Sequence, residues 1–273
     1  MTRHSAGSGT RHDTEVSLSV TRDEIIGHPT WHRVSDLGIV QFRHDYDPEL
    51  LAAIAARAKQ LKREKAHKRH LNLNYMRGAH RYIPEITELI NWPGRRERAS
   101  ELAGVELEPY PLPVISAIIT FQDADRDGSV TWHADGVPVT EMIPLEIENL
   151  VGGELEIYRG DYEEGIARQS RGGDPVPEDR ILKIRHKPGW GILGQLMRTA
   201  HRVAPIETGH RITLNLNWRS VSKPWIDDNT ITYLAADNPE LEWEEEYLQD
   251  VHEVHIPAYL DHQKAPLPHG SAR

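Results

Sequence analysis

The amino-acid sequence predicts a mostly β protein in which helices come first and strands come later. Three observations support this prediction: an amphipathic helical pattern near residue 50, a change in texture at Val105, and a series of β-prone runs that ends at Trp218. Short strands at fairly even spacing, with turn residues between them, are typical of an all-β sandwich or barrel. We therefore place an N-terminal helical layer against one sheet of a β core.

The first half of the chain is predicted to contain one or two short strands and then three helices. Apolar pieces between residues 20 and 45 are interrupted by glycine and proline, which is typical of short strands. Asp47 can cap a helix and Pro48 suits its first position, and apolar residues then recur at helical spacing to about Ala66. Further elements are predicted at 71–75 (a strand), 84–90 and 94–103 (helices).

The second half is predicted to be built from strands. Its β-prone runs are 114–121, 130–134, 154–158, 181–184, 191–193 and 212–218. Residues 160–180 are charged and rich in glycine and proline, which predicts a long loop of the kind that can form a lid. A short acidic helix is predicted at 240–247.

The length of 273 residues fits one substantial domain with flanking segments. We expect disordered tails at 1–15 and 263–273 and a single domain between them, at 16–262. Within it, the β core is expected at about 105–222, the helical support at 45–104, and a C-terminal extension at 223–262.

The composition excludes several classes of protein. There is no cysteine, so disulfides, thiolate metal sites and cysteine nucleophiles are ruled out. A formal charge of −10 argues against a nucleic-acid partner. No apolar run is long enough to span a membrane, and Met1–Asp13 lacks the apolar segment of a secretory signal. We expect a cytoplasmic protein that binds a small molecule; no feature of the sequence indicates an oligomer.

The most informative residues are two histidines, one aspartate and one arginine. His133 and Asp135 are two apart, so on a strand their side chains point the same way. His201 can supply a third ligand from a neighbouring strand. Two imidazoles and one carboxylate with an open face form the site of non-heme Fe(II) oxygenases. Arg211, ten residues after His201, can then pair with a dianionic co-substrate.

The order of the surrounding motifs carries a family resemblance. The sequence reads H-x-D at 133–135, G-G-E-L at 152–155, P-G at 188–189 and H-R-V-x-P-I-x-x-G-H-R at 201–211. This order resembles the 2-oxoglutarate/Fe(II) dioxygenase superfamily and is closest to its prolyl-hydroxylase-like branch. The resemblance covers roughly residues 105–222 and implies a double-stranded β-helix (jelly roll) core, with Fe(II), 2-oxoglutarate and O₂ taking part in the reaction.

The resemblance also assigns roles to residues. It implies that His133, Asp135 and His201 bind iron and that Arg211 binds the far carboxylate of 2-oxoglutarate. Thr213, two residues further along the strand, points the same way as Arg211 and could donate a hydrogen bond. The implied reaction hydroxylates an unactivated C–H bond and releases succinate and CO₂. Related iron halogenases carry a small residue in place of Asp135, so the carboxylate predicts oxygen insertion; desaturation and cyclisation stay open.

The substrate is the least determined part of this interpretation. A further similarity to bacterial free-amino-acid hydroxylases and halogenases implies a small polar metabolite such as a cationic amino acid. The candidate substrate residues are Asn74, Tyr75, Arg77, Trp218 and Trp225. Two alternatives stay open: a hydroxylase of a protein side chain, and a non-catalytic cupin-like metal-binding or sensor module. Arg211 argues against the metal-binding or sensor module, because such a module needs no guanidinium at its open face.

Overall fold

The computed structural model of the protein describes residues 14–68, 73–124, 130–170 and 176–264. The predicted disordered tails lie almost wholly outside these residues. The described end of the second tail, Gln263 and Lys264, is helical. No helix in the described ranges is long and apolar enough to cross a membrane.

Thirteen strands are present in the described residues, and we number them in chain order. They are β1 (Val16–Thr21), β2 (Leu37–Arg43), β3 (His67–Lys68), β4 (Asn74–Arg77), β5 (Leu107–Pro109), β6 (Ala117–Asp123), β7 (Val130–His133), β8 (Val139–Gly152), β9 (Leu155–Tyr158), β10 (Ile181–Ile184), β11 (Trp190–Gly194), β12 (His201–Val203) and β13 (Ile206–Ser220).

Nine α-helices accompany them in the same part of the chain. They are α1 (Arg22–Ile26), α2 (Pro48–Lys65), α3 (Pro84–Ile90), α4 (Arg95–Ala103), α5 (Pro113–Ser116), α6 (Tyr162–Ser170), α7 (Ile231–Asp237), α8 (Glu244–Asp250) and α9 (Ile256–Lys264). A π-helical turn, Val251–His255, joins α8 to α9.

The strands form two antiparallel sheets. The larger sheet has nine strands in the order β1-β2-β11-β8-β13-β6-β4-β3, with β5 paired to the end of β13. The smaller sheet has the order β10-β9-β12-β7. The described strands do not close into a barrel. The protein is therefore mostly β, as predicted, with two sheets and several helices.

Strand β13 organises the larger sheet because it pairs with β6 on one side and β8 on the other. Its side chains alternate, as in any strand. Leu214 and Leu216 pack with Ile54 of α2 and Ile86 of α3 in one buried apolar cluster. The opposite face of β13 carries Arg211 and, at every second position, further polar residues that line a cavity.

Several predicted elements are confirmed. The longest predicted helix is α2, in which Asp47 accepts a hydrogen bond from the Glu49 amide at 2.9 Å and Pro48 is the first residue. The helix predicted at 84–90 is α3, and the one predicted at 94–103 is α4, which begins one residue later. The strand predicted at 181–184 is β10.

Two predictions are wrong in part, and one strand was missed. Residues 162–170 of the predicted 160–180 loop form helix α6, while 171–175 lie outside the described residues. The strand predicted from residue 114 starts at Ala117, after the short helix α5. Strand β8 was not predicted at all, because Pro144 and several glutamates interrupt its β pattern. The register between β8 and β13 shifts where Pro144 meets Thr213, and such an irregularity accommodates a residue without an N–H.

Candidate active site

The three predicted metal ligands lie together at one edge of the smaller sheet. His133 ends β7 and His201 begins β12, and the two residues face each other as cross-strand partners. Asp135 follows β7 and forms an isolated parallel bridge with Met197. The nearer Asp135 carboxylate oxygen is 3.7 Å from His133 Nε2 and 3.6 Å from His201 Nε2. One ligand atom from each of the three residues lies within 4.8 Å of the others.

A backbone carbonyl holds each imidazole through the same ring nitrogen, Nδ1. His133 Nδ1 lies 2.8 Å from the Thr131 carbonyl, and His201 Nδ1 lies 2.9 Å from the Thr199 carbonyl. A carbonyl only accepts hydrogen bonds, so Nδ1 is the donor in each ring and Nε2 is the atom that faces Asp135 and could bind a metal. Fixing the tautomer in this way is what metal-binding histidines require.

The carboxylate ligand is positioned by its neighbours. Thr140 Oγ1 lies 3.5 Å from the second Asp135 oxygen and donates to Asn217 Oδ1 at 2.9 Å. Gly136 follows Asp135, and a Cβ at this position would lie 2.3 Å from Asn229 Oδ1. A side chain at position 136 would therefore have to displace the side chain of Asn229, which also lines the cavity described below.

A cavity of about 160 Å³ extends from these ligands into the space beside β13. Much of its wall is apolar. The apolar lining residues are Leu73, Ile115, Ile118, Val130, Val137, Met142, Leu155, Leu196 and Val203. Such a lining excludes water and strengthens polar interactions inside the cavity.

Arg211 is buried in the same cavity, with 2 % of its surface exposed. Its guanidinium donates to the Gly153 carbonyl at 2.6 Å and to the Gln122 side-chain oxygen, whereas Nε has no hydrogen-bond partner in the described structure. Burial lowers the pKa of Arg211 to about 9, and the negative charge of Glu154 acts in the opposite direction. Arg211 is therefore still a cation at neutral pH.

Two further unpaired polar atoms line this cavity. Thr213 Oγ1 and His186 Nδ1 are buried and make no hydrogen bond within the described residues. The pKa of His186 lies well below its ordinary value because of burial and the nearby positive charge of Arg211, so its ring is neutral. Buried polar atoms without partners are costly, and a ligand that supplies acceptors removes that cost. Arg211 and Thr213 together fit a carboxylate of a dianionic keto acid.

The predicted substrate residues separate into two groups. Tyr75 and Arg77 line the cavity. Tyr75 donates to Asp237 Oδ1 at 2.6 Å, Arg77 forms an ion pair with the same carboxylate, and the guanidinium lies over the Tyr75 ring. Asn74 precedes Tyr75 on β4 and therefore points to the other face of the strand.

The two predicted tryptophans do not reach the cavity. Trp218 is fully buried on the helix side of β13, with the Arg95 guanidinium 4.1 Å above its ring. Its position is even, whereas the cavity residues Arg211 and Thr213 are odd, so alternation directs it to the opposite face. Trp225 packs against helix α9, and its ring centroid lies 6.0 Å from that of Tyr259.

Sequence reasoning missed several residues of the site. Asn215 and Asn217 line the cavity and share the parity of Arg211, which was a usable signal. Gln122 lies directly opposite Arg211 in the β6–β13 pairing, a relation that only the strand register reveals. His186, Asn229 and Tyr233 also line the cavity and carry no local sequence signal.

The fold and this site can be compared with known proteins. No family model and no curated protein matches the sequence. Among solved structures, the non-heme alpha ketoglutarate dependent carbocyclase SnoK from nogalamycin biosynthesis is 17% identical, with 66% of this chain and 79% of that chain covered and a TM-score of 0.50. The epimerase SnoN, solved with Fe³⁺, alpha ketoglutarate and nogalamycin RO, is 15% identical over 68% of this chain and 80% of its own, with a TM-score of 0.52.

A third similar structure is AviO1 from Streptomyces viridochromogenes Tue57. It is 16% identical, with 68% of this chain and 90% of that chain covered and a TM-score of 0.51. Identities this low show a shared fold. The chain therefore shares the fold of SnoK, SnoN and AviO1, and its His-Asp-His group lies in a cavity of that fold.

Proposed function

We propose that the protein is an Fe(II)- and 2-oxoglutarate-dependent oxygenase that hydroxylates a C–H bond of a small molecule. The observation that carries the proposal is that two imidazoles and a carboxylate, with one ligand atom of each within 4.8 Å of the others, share one apolar-walled cavity with a buried cationic Arg211. This donor set suits iron with one open face. The solved structures of SnoK and SnoN support the proposal, since both are described as alpha ketoglutarate dependent.

Each residue then has a defined task. His133, Asp135 and His201 would hold Fe(II), which with 2-oxoglutarate and O₂ supplies the oxidising chemistry. Arg211 would pair with the far carboxylate of 2-oxoglutarate, and the Thr213 hydroxyl would donate to the same group. The apolar walls exclude water from the reacting atoms. Asp135 fills a position that a halide would need, so oxygen insertion is favoured over halogenation.

The residues that line the cavity indicate which kind of substrate could bind. Arg77 and Tyr75 line it on the side of helix α7 and share the carboxylate of Asp237. Among the described residues that line the cavity, Asp135 is the only one with a carboxylate, and that carboxylate is assigned to iron. The lining thus gives no support for a cationic amino acid side chain. We propose instead a small, mainly apolar substrate with a polar group near Arg77 and Tyr75.

The proposal is tested without oxygen. Fe(II) and then 2-oxoglutarate are added to metal-free protein, and the weak visible absorption of a chelated keto acid is followed. We expect a band that saturates near one equivalent in the wild-type protein and is lost in Asp135→Ala. His210→Gln is the matched control, because His210 pairs with Glu146 outside the cavity.

The alternatives give different results. Metal binding without this band, together with unchanged metal binding in Arg211→Gln, supports the cupin-like metal-binding or sensor module. A band without turnover of any small molecule, but with turnover of protein side chains, supports the protein hydroxylase. Absence of metal binding contradicts the proposal.

A further inference from the structure

Two of the three metal ligands depend on one loop. This loop, residues 195–200, joins β11 to β12, and we call it the ligand loop. The Asp135 amide donates to the Leu196 carbonyl at 3.2 Å, and Asp135 also bridges to Met197. His201 Nδ1 lies 2.9 Å from the Thr199 carbonyl. A change in the path of the ligand loop would therefore move a carboxylate and reorient an imidazole together.

The ligand loop has an irregular backbone. Arg198 has a φ of 49°, in the left-handed region that residues other than glycine rarely adopt. Such a conformation costs free energy and persists only where surrounding contacts impose it. The loop therefore needs external partners to keep the shape that presents Asp135 and His201.

Arg22 supplies those partners from the start of the chain. It is the first residue of α1, and 2 % of its surface is exposed. Nη1 donates to the Gln195 carbonyl at 3.2 Å and to Thr199 Oγ1 at 3.0 Å. Nη2 donates to the carbonyls of Met197, at 3.0 Å, and Arg198, at 3.4 Å. One guanidinium thus reaches four of the six residues of the loop.

Two details reinforce this arrangement. Thr199 Oγ1 accepts from Arg22 and donates to the Gln195 carbonyl at 3.0 Å, so the hydroxyl closes the loop on itself. The Gln195 side chain accepts from the Val34 amide at 2.8 Å and donates to the Ser35 carbonyl at 3.0 Å. The segment from α1 to the start of β2 therefore surrounds the ligand loop.

The hydrogen bonds of Arg22 are better suited to positioning the ligand loop than to stabilising the fold. Its hydrogen bonds to the loop go to neutral carbonyl and hydroxyl oxygens, and none goes to a carboxylate. Burial lowers its pKa to about 10, which means that the surroundings disfavour the charge that it nevertheless carries at neutral pH. Only arginine offers several N–H donors in a rigid planar fork that can reach carbonyls on different residues.

We propose that Arg22 is a positioning residue of the metal centre: it fixes the ligand loop and, through it, the geometry of Asp135 and His201. The inference rests on the proposed function in one respect, namely that these ligands bind a divalent metal. It extends the site to the N-terminal segment, well outside the region of residues 105–222 that carries the family resemblance.

The test uses Co(II) as the metal probe, because its visible spectrum reports ligand geometry without turnover. Metal-free wild-type protein, Arg22→Met and Arg22→Lys are titrated with Co(II), and their melting temperatures are measured separately. We expect Arg22→Met to bind Co(II) at least about tenfold more weakly with an altered spectrum, as is typical when a group that orients metal ligands is removed. Arg22→Lys should recover part of the affinity.

Arg33→Met is the matched control. Arg33 lies on the same segment and pairs with Asp23 at 2.7 Å and Asp36 at 3.1 Å, outside the ligand loop. It should keep the wild-type Co(II) affinity and spectrum. If Arg22→Met also keeps both while its melting temperature falls, Arg22 is only a structural residue and the proposal is overturned.

A second pair of variants applies if Arg22→Met does not fold. Thr199→Val removes the hydroxyl that Arg22 contacts, whereas Thr199→Ser retains it. We expect weaker Co(II) binding in Thr199→Val and near wild-type binding in Thr199→Ser; equal affinities would contradict the inference. Failure of the wild-type protein to bind one equivalent of Co(II) is a distinct result, which removes the proposed metal centre and the role of Arg22 with it.

Discussion

The two faces of strand β13 both bury an arginine, but the two arginines have different surroundings. On the helix side, Arg95 donates to Glu141 through Nε at 3.0 Å and Nη2 at 2.7 Å. The same carboxylate also accepts from Tyr46 at 2.5 Å and from Trp218 at 3.2 Å. On the cavity side, Arg211 bonds to neutral oxygens of Gly153 and Gln122 and leaves Nε unpaired in the described structure.

This difference separates a structural charge from a binding charge. The charge of Arg95 is neutralised within the protein, so its energetic role is complete in the folded chain. The charge of Arg211 is held in place by its neighbours but not neutralised by a direct carboxylate contact, so an anionic ligand is its natural partner. Burial alone therefore does not identify the functional arginine; the state of its hydrogen-bonding atoms does.

The largest expected effect concerns the helix side. Arg95→Met leaves the Glu141 carboxylate buried without its cation, which should lower the free energy of unfolding by about 3–5 kcal/mol. Chemical denaturation of the metal-free protein measures it. The double variant Arg95→Met/Glu141→Leu removes both charges and should recover much of the loss. A single variant as stable as the wild-type protein would mean that the Arg95–Glu141 pair contributes nothing.

The next effect concerns Arg211 on the cavity side, where we expect a loss of ligand affinity and no loss of stability. Arg211→Gln removes a charge that has no internal carboxylate partner, so the metal-free protein should keep its stability. Affinity for 2-oxoglutarate should fall roughly 10- to 150-fold, corresponding to about 1.5–3 kcal/mol for hydrogen bonds to a charged group. Anaerobic titration in the presence of Fe(II) measures the affinity. Unchanged affinity would place the co-substrate carboxylate elsewhere.

The smallest expected effect is a change in how stability depends on pH, and it arises on the helix side of β13. His44 lies on the helix side, stacked on Tyr46 at 4.6 Å, and burial lowers its pKa to about 4. The unfolded chain takes up a proton near pH 6.5, before the folded chain does. Stability from the neutral ring is thus complete above pH 6.5 and falls by about 1.4 kcal/mol per pH unit towards pH 4.

His44→Phe removes this titration and keeps a ring against Tyr46. Unfolding measured between pH 7 and pH 4 (roughly the range set by the two pKa values) should show a shallower loss of stability in the variant. Parallel curves for the two proteins would mean that folding does not lower the pKa of His44.

Some parts of this molecule could be predicted from sequence and others could not. The His133–Asp135 pair and the cap of α2 are local patterns, which a single sequence records, whereas His201 was predicted from the order of motifs that resembles a known family. The misplacement of Trp218 was avoidable, because strand parity relative to Arg211 already excluded it from the cavity. Strand β8 was missed because Pro144 breaks its β pattern. The strand tolerates this proline because the register between β8 and β13 is irregular at that position. Gln122 and Arg22 act through contacts distant in sequence, which no local pattern contains.

The contact between Arg22 and the ligand loop also has a consequence for biosynthesis. Arg22 and Thr199 are 177 positions apart in sequence. A ribosome adds about 5–20 residues per second, so the two partners emerge roughly 10–35 seconds apart. Until then the N-terminal segment cannot complete the arrangement that presents Asp135 and His201. The contact between Arg22 and the ligand loop therefore cannot form until most of the chain has been synthesised.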